Sequence, residues 1–299
     1  MFSTLSSDRG AGIYIDNFYG FRVPLRARLA KSDRHGMTHN NMKPLSEITL
    51  DDLKNIKLLC FDADGVTVEL GTKIIEKDGQ LTVKTKKITD SLVEKLNKLK
   101  KHFHINISSG RSLLFLDRMY ASILWDRSSI QGENGLLTLI DGKVIQADAL
   151  TSEELQKLEE IKIQVKKLAR TNENIDGFEP KQFMVSVHCK SEDKEIHRIV
   201  KDTDTENLFN SFWVSNESHD IFIKRFDKGT GLEFIANHLG FSLDQTLAVG
   251  NGINDKPMLD KAGISITTDP KGVEAHYYTE NKSELGGEEV VDRLLELLG

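Results

Sequence analysis

From about residue 49 onward, short apolar runs alternate with amphipathic segments. Lys57–Phe61 (KLLCF) is a strand-like run ending at Asp62, and Ile88, Leu92, Leu96 and Leu99 then recur at helical spacing. HFHINI, residues 102–107, reads as the next strand and runs into Ser108-Ser109-Gly110-Arg111. The rhythm returns late in the chain. TLAVG at 246–250 precedes NGIND, ISI at 264–266 is a further short strand, and Val290, Val291, Leu294, Leu295 and Leu298 mark a closing helix. Strand–helix–strand order implies a parallel sheet with helices on its faces and ligands at the carboxyl ends of the strands.

Between about 148 and 219 the rhythm breaks. Thr151 and Glu154 form a capping-box pair heading a helix whose apolar face is Leu155, Leu158, Ile161, Val165 and Leu168. FMVSVHC at 183–189 reads as a half-buried strand, KDTDTEN at 201–207 as a polar linker, and SFWVS as a further strand. The expected fold class is α/β: a doubly wound, Rossmann-like core over 49–147 and 220–299, interrupted by an inserted α+β cap over 148–219. Residues 1–48 carry scattered Gly, Arg, Ser and His with little periodicity, and a flexible N-terminal extension is expected.

A length of 299 residues is enough for such a core and cap. The net charge of -6 gives no basic excess, so nucleic acid is not an expected partner. No apolar run is long enough to span a bilayer, and the first residues lack the order of a secretory signal, so no membrane partner and a cytoplasmic location are expected. The two cysteines, Cys60 and Cys189, sit in apolar stretches and read as buried thiols. The pattern argues neither for nor against association of copies.

Four polar clusters fall at strand ends or helix starts. In Asp62-Ala63-Asp64-Gly65, one carboxylate can attack phosphorus and the other can protonate the leaving oxygen, then activate water. Ser109 and Gly110 offer a hydroxyl and backbone N–H groups to phosphate oxygens, although an ordinary helix cap has the same composition. Lys228, at the start of the helix carrying Leu232, Ile235 and Leu239, can neutralise a carboxylate and a phosphoryl group, although most lysines at such positions are solvated. Gly250-Asn251-Gly252-Ile253-Asn254-Asp255 supplies oxygens to a hard cation, or is simply a polar loop before a helix.

The ordered set resembles the haloacid-dehalogenase-like (HAD) phosphatases over roughly residues 56 to 299, and in particular the large-cap branch that includes trehalose-phosphate, sucrose-phosphate and mannosyl-phosphoglycerate phosphatases and the eukaryotic phosphomannomutases. The resemblance implies a HAD-like core and a phosphatase acting on a small phosphorylated molecule, a sugar phosphate. It casts Asp62 as nucleophile, Asp64 as general acid/base and Lys228 as the charge-neutralising lysine. It assigns phosphate binding to Ser109, Gly110, Lys228 and Asn254, and Mg²⁺ to Asp62, Asp64, Asn251 and Asp255. Glu133-Asn134-Gly135 resembles a segment common before the cap in that branch. Glu179-Pro180-Lys181, with His188 beyond, resembles the cap stretch of the trehalose-phosphate enzymes, which would place Glu179 and Lys181 over the substrate. The chain departs from the family at Asn251, where the usual residue is a metal-binding Asp, so weaker Mg²⁺ binding is expected. The same motifs also suit a sugar phosphomutase, and Asn251 is the one feature that would suit a catalytically silent binding protein.

Overall fold

The computed structural model describes residues 42–214, 216–280 and 285–299. Most of the expected flexible extension, residues 1–41, lies outside the described residues. Its last residues are not an extension: Lys43–Pro44 (β1) pairs with the edge of the main sheet, and Leu45 and Ile48 are buried in the core.

Leu50–Leu53 (α1) leads into Leu58–Asp62 (β2), then a hairpin of Lys73–Lys77 (β3) and Gln80–Lys84 (β4). Asp90–Leu99 (α2), His104–Ser108 (β5), Leu113–Tyr120 (α3) and Ser128–Gly132 (β6) follow, with Leu137–Ile140 (β7) and Lys143–Gln146 (β8). Ser152–Ala169 (α4), Ile175–Glu179 (β9), Met184–Cys189 (β10), Lys194–Thr203 (α5), Phe209–Val214 (β11) and Ser218–Ile223 (β12) make the cap region. The chain closes with Lys228–His238 (α6), Thr246–Gly250 (β13), Lys256–Lys261 (α7), Ile264–Thr267 (β14), Tyr277–Tyr278 (β15) and Gly286–Leu298 (α8).

The main sheet has the order β1-β15-β14-β13-β2-β5-β6-β7-β8, parallel from β1 through β6 and antiparallel beyond. Strand β2 explains why both faces are covered. Leu59 and Phe61 point into a core shared with α2, α3 and α8, while Leu58 and Cys60 point into a second core shared with α6 and α7. The strand directions place the ends of β2, β5 and β13 at one edge, with β2 between the other two. That is the switch point where open α/β sheets bind ligands.

The cap is a four-stranded antiparallel sheet, β11-β12-β10-β9, whose apolar face packs on α4 and α5. Thr151 and Glu154 make the reciprocal capping bonds read from the sequence. The segment at 201–207 is not a linker throughout. Residues 201–203 finish α5, which buries Ile196, Ile199 and Val200, and the Asp204 carboxylate then accepts the Leu208 and Phe209 N–H groups. Strand β12 runs across the position where the sequence pattern ends the cap, so the cap sheet extends to Ile223. Both cysteines are free and buried.

Candidate active site

Asp62 is the last residue of β2 and is almost fully buried. The chain then turns at Gly65, whose φ of +77° is in the left-handed region that glycine adopts without strain. A Cβ there would also collide with the Asn251 amide, so this glycine lets motifs 62–65 and 250–255 close on each other. The turn swings Asp64 out of the strand, and both its side-chain oxygens meet Arg111: Nε to Oδ2 and Nη2 to Oδ1, each at 2.7 Å. Planar bidentate pairing of this kind is the strongest form of ion pair that side chains make. Burial opposes the charge on Arg111, but Asp64 more than offsets it and raises the guanidinium pKa.

Helix α6 begins at Lys228 because Asp227 caps it reciprocally with Thr230. Its first residue is thereby fixed inside the sheet edge, and Lys228 Nζ lies 2.5 Å from both Asp62 Oδ1 and Asp255 Oδ1. Two carboxylates share one ammonium. Burial and the neighbouring Asp255 push Asp62 up to about 7 despite the pull of Lys228, while the two carboxylates raise Lys228 against the effect of its burial.

Asp255 does not face the cavity. It is fully buried behind Lys228, and its second oxygen accepts the N–H groups of Asn251 and Gly252 at 2.8 and 2.9 Å. It braces the loop and the lysine. Asn251 turns its side-chain Nδ2 onto the main-chain oxygen of Asp64 at 3.0 Å. Ser109 Oγ accepts from the Arg111 N–H at 3.2 Å, which leaves its own proton to donate into the cavity.

The cavity is lined on the sheet side by Asp62, Asp64, Ser109, Gly110, Arg111, Lys228, Asn251 and Asn254. On the cap side it is lined by Glu179, Lys181, Ser186, His188, Glu217 and Asp220, with Val214 and Ser218. Of the residues given a catalytic, phosphate, substrate or metal role from the sequence, Asp255 alone is absent from the lining. Lys181 is buried between Glu179 at 3.8 Å and Asp220 at 3.4 Å, and these carboxylates raise its pKa against burial. Burial pushes Glu179 up, but Lys181, His188 and Arg111 outweigh it and hold the carboxyl at about 2.

Three groups escaped sequence reasoning. Arg111 stands 47 positions from Asp64 and shows no local pairing signal. Asp220 and Glu217 lie in and beside a strand that carries no recognisable motif, yet Asp220 Oδ1 accepts from Ser186 at 2.5 Å and joins Glu179 and Lys181 on the cap side of the cavity.

Asp62, Asp64 and Asn251 each bring side-chain oxygen to the cavity, and this set suits a hard divalent cation in donor type. It suits one poorly in charge, because Asp255 is already engaged on both oxygens and Asn251 is neutral. Among the described residues no group of three or more His, Cys, Asp or Glu side chains converges as a metal site.

A family model described as haloacid dehalogenase-like hydrolase matches residues 74–169 and 159–270. A curated phosphoglycolate phosphatase of Methanopyrus kandleri is 24% identical over 197 residues, spanning 64% of this chain and 82% of that protein. Among solved structures, a Thermoplasma acidophilum protein superposes with a TM-score of 0.58 at 14% identity, over 81% of this chain and 98% of its own. Aspergillus fumigatus trehalose-6-phosphate phosphatase superposes with a TM-score of 0.53 at 16% identity, over 85% of this chain and 98% of its own. At such identities the superpositions speak for the fold. With the family model covering well over half of a sheet-and-cap chain of this topology, the protein belongs to the haloacid dehalogenase-like hydrolases.

Proposed function

We propose that the protein is a Mg²⁺-dependent phosphomonoesterase that hydrolyses a sugar phosphate through an aspartyl-phosphate on Asp62. One observation carries this reading. A buried carboxylate at the end of the central strand is held 2.5 Å from a buried lysine and faces a cavity roofed by polar cap residues. In the first half-reaction an Asp62 oxygen bonds to phosphorus and the bond to the leaving alcohol breaks, with Asp64 giving that alcohol its proton. In the second, Asp64 takes a proton from water, the water oxygen attacks the phosphoryl group on Asp62, and inorganic phosphate leaves. Lys228 offsets charge on Asp62 throughout, and Ser109, Gly110 and Asn254 hold phosphoryl oxygens. Bound Mg²⁺ would be held by Asp62, the Asp64 carbonyl and Asn251 and would offset phosphoryl charge. Both Asp64 oxygens accept from Arg111, so the guanidinium must give up one of them for that oxygen to reach the leaving group and the attacking water.

The cap supports a polyhydroxylated leaving group. Among the cap residues that line the cavity, Glu179, Glu217 and Asp220 stand beside one permanently charged cation, Lys181, so acceptors for hydroxyl protons outnumber positive charges there. A second anion on the substrate, as in phosphoglycolate, would meet this ring with repulsion. The test is a panel of sugar, nucleotide and carboxylate-bearing phosphates with Mg²⁺, using Asp62→Asn as the blank. The expected outcome is preference for sugar phosphates. Preference for nucleotides or phosphoglycolate would refute the substrate assignment, and release undiminished in Asp62→Asn would refute the mechanism.

A further inference from the structure

The turn Glu133–Gly135 follows β6 and touches the 109–111 loop, helix α6 and the cap. Glu133 and Asn134 both have positive φ, +51° and +58°, a conformation that costs energy for residues with a Cβ. The turn keeps it because its neighbours over-determine it. Glu133 N–H donates to the Arg111 carbonyl at 2.9 Å and Asn134 N–H to the Ser109 carbonyl at 3.1 Å, so it is fastened to the phosphate loop. Gly135 lies against Gly231 of α6 so closely that no Cβ fits, and this fastens it to the helix that presents Lys228.

The Glu133 side chain points the other way, into the cap. It is buried, and its two oxygens accept the consecutive backbone N–H groups of Gln182 and Phe183 at 2.9 and 2.6 Å. Burial raises its pKa against the pull of those two N–H groups. Glu179, Lys181 and the first residue of β10 belong to the same short cap segment. The other tie between this segment and the phosphate loop is weaker, the Ser112 N–H to Glu179 Oε1 at 3.4 Å.

We propose that Glu133 is a positioning residue, a clasp that fixes the 179–183 segment of the cap above the phosphate loop and so sets the affinity for the organic half of the substrate. A carboxylate fits this role because it gives each of two adjacent N–H groups its own charged oxygen, whereas an amide or hydroxyl offers one neutral acceptor oxygen. Once the clasp is removed, Lys181 and Glu179 keep their places in the cap but lose their fixed height over Ser109 and Arg111.

The inference rests on the phosphatase reading for its kinetic half only, and amide exchange reads the clasp without turnover. In Glu133→Ala, residue-resolved hydrogen exchange at Gln182 and Phe183 is expected to speed up at least about tenfold, while Val187 in the middle of β10 is unchanged. For the best sugar phosphate of the panel, KM is expected to rise about tenfold with kcat little altered, and to rise less for p-nitrophenyl phosphate, whose ring offers the cap no hydroxyls. Glu133→Gln keeps the size of the side chain, sets its NH₂ against one of the two N–H groups, and carries the same readings in smaller degree should the alanine variant not fold. Unchanged exchange at Gln182 and Phe183 would overturn the clasp. Faster exchange with KM unmoved on the sugar phosphate, or an equal loss on both substrates, would overturn its part in binding.

Discussion

The chemistry of the site is set by how few positive charges serve its carboxylates. Lys228 is shared by Asp62 and Asp255, and Arg111 is taken by Asp64. Replacing Lys228 with Met leaves two buried carboxylates without their counter-ion. It is expected to abolish turnover and to cost about 3 kcal/mol of stability, because an orphaned buried charge is dearer than an absent pair. Urea unfolding at neutral pH would check it, and a variant as stable as the wild type would contradict the shared-ammonium account. Asn251 bears on the cation. Its amide now donates to the Asp64 carbonyl, and a carboxylate in its place would turn an oxygen and a negative charge toward the same gap. Asn251→Asp should bind Mg²⁺ more tightly, by about tenfold if the gain is near 1.4 kcal/mol. Calorimetric titration at fixed pH and ionic strength measures this, and equal affinities would show that Asn251 is not the weak ligand. The departure at 251 was legible in the sequence because the family resemblance sets an Asp at that position. The grip of Arg111 on Asp64 was not, because the pair is brought together only by the fold.

Among the elements, β2 and β13 were legible as apolar runs and β5 as isoleucines alternating with polar residues, each leading to a polar cluster, whereas β6 was not. Its residues Ser128, Ser129 and Gln131 are polar yet buried: the Ser128 hydroxyl donates to the Ile123 carbonyl at 2.6 Å, and Ser129 and Gln131 sit in a ladder of side-chain hydrogen bonds. Ser129 Oγ bonds Asn106 at 2.8 Å and His104 at 3.0 Å, and Gln131 bonds Asn106 at 2.9 Å and Thr138 at 3.1 Å. Hydrophobic patterning cannot see a strand whose interior is satisfied this way. The hairpin of β3 and β4 did leave a signal, the Asp78-Gly79 pair, both with positive φ as a tight hairpin turn requires. The polar ladder has a pH consequence. Burial lowers His104 to about 4, so between pH 6.5 and 4 the unfolded chain holds a proton that the native ring does not. Stability is therefore expected to fall as pH drops through that window, by about 3 kcal/mol from this ring. His219, lowered to about 4 by burial and then by His197, adds a loss of the same sign. Urea midpoints measured across that range should fall less steeply in His104→Gln, and parallel slopes would contradict the assignment.

For the whole molecule, the arrangement divides labour between a rigid sheet edge and a cap. The α/β core, the inserted helix-and-sheet region and the order of the motifs could be read from one sequence, because each motif follows an apolar strand or opens a helix. Of the cap acids, Glu179 was named from the sequence through the family resemblance, but Asp220 was not, since it comes from β12 and meets the Glu179 strand β9 only with β10 between them. Cap and core meet over Asp62, and this carboxylate is expected to become phosphorylated during turnover. Its phosphorylation is tested most directly by acid-quenching the protein during turnover of p-nitrophenyl phosphate with Mg²⁺ and mapping the phosphoryl group by peptide mass. This leaving group departs without a proton, so Asp64→Asn should still be phosphorylated but slow to release phosphate. The account predicts one phosphoryl group on the peptide containing Asp62, more of it in Asp64→Asn than in the wild type, and none in Asp62→Asn. Phosphate released with no phosphoryl group on that peptide in any variant, or found on another residue, would contradict it.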